Sequence, residues 1–154
     1  MRSKIVNPFL DSVVNVMSTM ASIQVLTGTP EIKEDHLAGG DISGIIGMSS
    51  DTSAGSMAVS FPKNVILEIT KRMLDEDLTT INGTVVDLVG ELTNMISGGA
   101  KKNLLDVGLD IGMASPVIVF GDDHEIHHKS TGKTISLPFS TEIGEFYVEV
   151  CFDD

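Results

Sequence analysis

Apolar residues return at intervals of three and four at Val85, Val89, Leu92 and Ile96, which predicts an amphipathic helix over residues 83–102. A second helical stretch is predicted from Asn7-Pro8, a good N-cap and first-turn pair, through Phe9, Val13, Val16, Met20 and Ile23 toward Gly28. Pro62 opens a third, carrying Val65, Ile66, Ile69 and Met73 and running out in the polar stretch 75–80. Elsewhere the period falls to two. Residues 42–48 read as a strand, and Met57, Val59 and Phe61 alternate with the small residues Ser56, Ala58 and Ser60, so the two make a hairpin. Further strands are expected at 116–120, around Ile135, Leu137 and Phe139, and through Phe146, Val148, Val150 and Phe152. Pro138 places the second of these at a sheet edge or ends its ladder. Helices interleaved with hairpins predict an α+β fold, a two-layer sandwich of helices packed on a mainly antiparallel sheet.

The helix over 83–102 also carries the candidate chemistry. At about 100° per residue, Asp87, Glu91, Asn94 and Gly98 fall within roughly 60° of one another, opposite the centre of the apolar stripe. A solvated helix face would look the same, but Asn is a poor helix former because its amide competes with the backbone. An Asn in mid-helix near two glycines lowers local stability, and function is one reason to retain it. Gly98 lies on the polar side and Gly99 on the core side, so the pair serves close approach of a partner, tight internal packing, or both. Lys101 lies about two turns beyond Asn94 on the same face. With Pro116 downstream, the spacing is D-x3-E-x2-N-x21-P.

Composition narrows the function. At 154 residues the chain is expected to be one domain, 1–154, and 42% hydrophobic content suits a folded core. No apolar run approaches the ~20 residues of a membrane span, and the first residues lack a signal-peptide core, so a cytoplasmic protein without membrane insertion is expected. The single Cys151 lies in a strand pattern and reads as structural. A net charge of -12 repels nucleic acid and anionic membranes. Asp87 and Glu91 would also repel a phosphoryl group, and the two arginines, Arg2 and Arg72, lie outside the motif. Any phosphoryl substrate must therefore bring its own cations, which favours a protein over a free phosphate ester. Asp122, Asp123, His124, Glu125, His127 and His128 crowd one segment, but their spacing matches no specific metal site, and a solvated hairpin loop is expected there. Residues 129–134 end like a P-loop, yet His127 takes the place of the first Gly and a strand follows, so nucleotide binding is rejected.

The run Asp87-x3-Glu91-x2-Asn94-Met-Ile-Ser-Gly-Gly-Ala-Lys-Lys with Pro116 resembles the active-site signature of the CheC/CheX/FliY chemotaxis phosphatases, and the length with one full signature most resembles CheX. The resemblance implies a pseudo-duplicated CheC-like fold and an enzyme that dephosphorylates the phospho-aspartate of a CheY-type response regulator. It implies that Asn94 orients the attacking water, that Glu91 pairs with the regulator's Lys, and that Asp87, Gly98, Lys101 and Pro116 support the site or touch the partner. Mg²⁺ would be carried by the regulator, with no cofactor or metal bound by this chain, and the protein would be a homodimer whose sheets join through the C-terminal strands. On helix one, Asn15-Val-Met-Ser can be laid on Asn94-Met-Ile-Ser, but Ser12 stands where the Glu would be and no Pro follows at the matching distance, so one site per chain is expected. The alternative is a noncatalytic adaptor that binds a receiver domain or chemotaxis partner through the same helix. An enzyme acting on a small molecule would instead need a deep pocket at that helix.

Overall fold

A computed structural model describes residues 2–153, with the side chains of residues 4–153. The elements follow in the order α1 (Arg2–Ala21), β1 (Leu26–Thr27), β2 (Glu31–Lys33), β3 (Ile42–Ser49), β4 (Ala54–Phe61), α2 (Lys63–Leu74), α3 (Gly83–Asp106), β5 (Gly112–Met113), β6 (Val117–Phe120), β7 (Thr134–Thr141) and β8 (Gly144–Phe152). All strands join one antiparallel sheet in the order β1-β7-β8-β4-β3-β5, with β2 also on β7 and β6 also on β3. Ile42, Ile46, Met57, Val59, Phe61, Leu137, Phe139, Phe146 and Val148 point from the sheet into one core with the helices. The expected α+β sandwich is the observed architecture.

The order of strands is the same read from either end. A helix, two short edge pieces and a long hairpin (α1, β1–β2, β3–β4) are repeated as α3, β5–β6 and β7–β8, and each half lays its edge pieces on the other half's hairpin. Each edge has one extra residue between its two pieces, a bulge that breaks the ladder. Pro116 stands in one bulge immediately before β6, and Pro30 stands in the other immediately before β2. A proline thus does follow helix one. Its distance along the chain differs because the two helices and their linkers differ in length, while its place in the sheet is the same.

Three further expectations are corrected. α1 begins before Asn7 and has Pro8 inside it, because Val6, Phe9, Val13 and Met17 form one continuous buried stripe that carries the helix across the missing N–H. It stops at Ala21, where Ser22 takes a left-handed φ of 54° and the Ile23 N–H donates to the Met17 carbonyl at 3.1 Å, so Ile23 is buried beyond the helix and Met20 is exposed. The C-terminal strand offers no edge, since β8 lies between β7 and β4. Pro138 neither makes β7 an edge strand nor ends its ladder, since β1 and β2 lie outside β7 and the pairing with β8 runs through Pro138. Its carbonyl faces the gap between β1 and β2, accepting the Gly28 N–H at 2.8 Å, so its ring nitrogen faces a side where no ladder donor is needed.

The segment 121–133 is not a solvated hairpin. It leads from β6 at one edge to β7 near the other, and with helices on one face it must cross the opposite face of the sheet. The segment 34–41 makes the equivalent crossing from β2 to β3, and the two meet where Leu37 bridges Glu125 and the Ile126 N–H donates to the His36 carbonyl at 2.7 Å. Ile126 is buried beneath them. His124 bonds Ser43 at 2.7 Å, and His128 bonds both Ser56 and Glu149, so hydroxyls on the sheet supply the partners that water would otherwise give. Cys151 is buried under the same strap, its thiol directed at the Gly132 carbonyl 3.3 Å away.

Candidate functional site

α3 starts where the Asn82 side chain caps the helix by accepting the Val85 N–H at 3.2 Å. Val85, Val89, Leu92 and Ile96 are fully buried, as the spacing predicts. The helix rests on β3 at Gly44, where any side chain would run into Thr93, whose hydroxyl is turned back onto the Val89 carbonyl at 2.7 Å. It rests on α1 at Gly99, where a methyl would collide with the Ser12 hydroxyl, itself donating to the Ile96 carbonyl at 2.6 Å. These two close contacts fix which side of α3 faces out.

That side carries Asp87, Glu91, Asn94, Gly98 and Lys101, all exposed. Among the described residues, the side chains of Asp87, Glu91 and Asn94 make no hydrogen bond or ion pair, so their donors and acceptors remain available to another molecule. The Asn94 carbonyl is held from below by the buried Ser97 hydroxyl at 3.1 Å. Pro116 is half-buried in the bulge between β5 and β6, strands that pack against α3. Ser12, by contrast, is buried, so α1 presents no counterpart to Glu91. The motif reading includes Gly98 but omits Gly90, although its spacing of four before Asn94 is equally legible.

The ridge is convex. The main surface grooves lie elsewhere, over Lys33 and Tyr147, beside Leu26 at the β1 edge, and between Lys4 and Asn103 at the ends of α1 and α3. No group of three or more His, Cys, Asp or Glu among the described residues is arranged to hold a metal ion, and none of the described helices is long and apolar enough to cross a membrane. An exposed carboxylate and amide on the outer side of a helix suit a surface that brings its own reactive group.

The duplicated α+β sandwich, with an acid and an amide on one exposed helix, falls in the class of chemotaxis phosphatases. The family model for chemotaxis phosphatase CheX matches residues 42–140, and the chain belongs to this family. A CheC-like superfamily protein from Shewanella sp. PV-4 is 47% identical over all of both chains, with a TM-score of 0.94. The chemotaxis protein CheX from Vibrio vulnificus is 46% identical over 97% of this chain and 99% of its own, with a TM-score of 0.91. The fold is also that of the protein in the CheX–CheY–BeF3–Mg2+ complex from Borrelia burgdorferi, at 20% identity, a TM-score of 0.82 and coverage of 97% and 98%. Comparison with curated protein sequences finds no match.

Proposed function

We propose that the protein, acting as one phosphatase domain, hydrolyses the phospho-aspartate of a CheY-type receiver with Asn94 and Glu91 as its working groups. The observation that carries this reading is the exposure of both side chains, unpartnered, on the outer ridge of α3 in a chain of the CheX family. An acyl phosphate is already reactive, so the catalyst's task is to place a water in line behind phosphorus. The Asn94 amide has a donor and an acceptor on one short arm and can hold such a water. Glu91, one turn away, pairs with the receiver's active-site Lys and sets the docking register. Asp87 and Lys101 extend the contact along the ridge, and Pro116 shapes the neighbouring bulge. Mg²⁺ is assigned to the receiver rather than to this chain; the Borrelia complex contains Mg2+ together with CheX, CheY and BeF3.

For the expected homodimer we propose the β6 edge as the joining surface, because β8 is internal to the sheet and offers no edge. A noncatalytic adaptor would use the same ridge, and turnover separates the two readings. Purified protein is mixed with phosphorylated CheY-type receivers and Mg²⁺, and phosphate release is followed. Wild type should accelerate release, and Asn94→Ala should lose about 10²-fold or more, the usual loss when a preorganised polar group is removed. Glu91→Ala should raise KM more than it lowers kcat. Unchanged receiver lifetimes beside measurable binding would establish the adaptor.

A further inference from the structure

Asn94 is bracketed on its own face by Gly90 and Gly98, four residues before and four after, each about 40° from it around the helix. Glycine in a helix interior is destabilising relative to alanine, so each position should have a structural reason. Gly99 has one, because a methyl there would collide with Ser12. Gly90 and Gly98 have none. A methyl at 98 would meet no atom within 4 Å, and one at 90 would meet the Ile118 Cδ1 at 3.9 Å, an ordinary contact.

Resting on the phosphatase reading above, we propose that Gly90 and Gly98 are specificity-determining positions that clear a corridor along α3, through which the receiver's loops around its phospho-aspartate come down onto the helix backbone. The reason is the shortness of the arm. An Asn amide stands only two carbons off the backbone, so it reaches a phosphoryl group held by another protein only if that protein's surface nearly touches the helix. Side chains four residues away lie about 5–6 Å off on the same face and would prop the partner away. Glu91, which is longer, reaches its partner from the side of the same ridge. The fold gives up helix stability at two positions to leave the space beside Asn94 bare.

The test sets stability against activity. Gly90→Ala and Gly98→Ala are each expected to raise Tm by about 2–4 °C, as removal of a helix-interior glycine does in a chain of this size. Each should lower kcat/KM on the phosphorylated receiver by about 10²-fold, as expected for a misplacement of roughly 1 Å. Affinity for the receiver loaded with beryllofluoride and Mg²⁺ should fall in parallel. Variants as active as wild type, or variants that melt lower, would overturn the corridor and leave the phosphatase intact. If wild type released no phosphate, the phosphatase reading would fall, and the beryllofluoride affinities would still decide the corridor.

Discussion

Glu149 occupies the outward phase of β8, between the core residues Val148 and Val150, and is nevertheless 3% exposed. One carboxylate oxygen accepts from Lys33 Nζ at 2.9 Å and the other meets His128 Nε2 at 2.8 Å, while the far nitrogen of that imidazole bonds Ser56. Four residues from β2, the strap, β8 and β4 are thus joined at a single charge. Removing one partner of a buried pair leaves the other uncompensated, which costs about 3 kcal/mol where, as with Lys33, some solvent is still in reach. Glu149→Ala should therefore lower the urea midpoint by roughly 1–2 M. Phosphate release by the folded variant should match wild type, because the network lies on the sheet face away from α3. A midpoint equal to wild type would show that the network orders the strap without stabilising the fold.

At the scale of elements, α1 and α3 approach each other most tightly where Gly99 meets Ser12. Gly99→Ala should cost about 1–3 kcal/mol through overpacking. In a Ser12→Ala background the same change should cost less, since the obstructing oxygen is gone and the remaining Cβ lies 3.2 Å from the new methyl. A double-mutant cycle by thermal melting measures that coupling, and strict additivity would refute the contact. α3 was legible in the sequence because its stripe is unbroken and its polar ridge is local, so the shared outer face of Asp87, Glu91, Asn94, Gly98 and Lys101 follows from spacing, while the roles proposed for them come from the family resemblance. α1 was less so, since burial of Val6 outweighs the usual preference for Pro at a helix start. The strap is hidden in the sequence for a different reason. A run of Asp, Glu and His looks solvated unless one knows that the sheet beneath it presents Ser43, Ser56 and Ser60, and that pairing is fixed by topology rather than by neighbours in sequence. Pro116 was readable as a motif position, but its role at a bulge depends on register with β3.

The duplicated sheet has two equivalent ends, and their residues differ in a way that predicts which of them a second copy would join. The β2 end reads Glu31-Ile-Lys33, where the exposed Glu31 carboxylate is the usual kind of protection for a free edge while Lys33 is turned onto Glu149. The β6 end reads Val117-Ile-Val-Phe120 with no charge, and Val117 and Phe120 are 62% and 54% exposed. Two unprotected ends would let copies add head to tail without limit, whereas one unprotected end pairs only with itself about a two-fold axis and closes as a dimer. Sedimentation at micromolar concentration should accordingly show a dimer for wild type and a monomer for Val117→Lys, which places a charge on the joining strand. The motif ridge of α3 lies outside that edge, so the monomeric variant should keep most of its phosphate release. A wild-type monomer would refute the closed dimer, and a Val117→Lys dimer would move the contact away from β6.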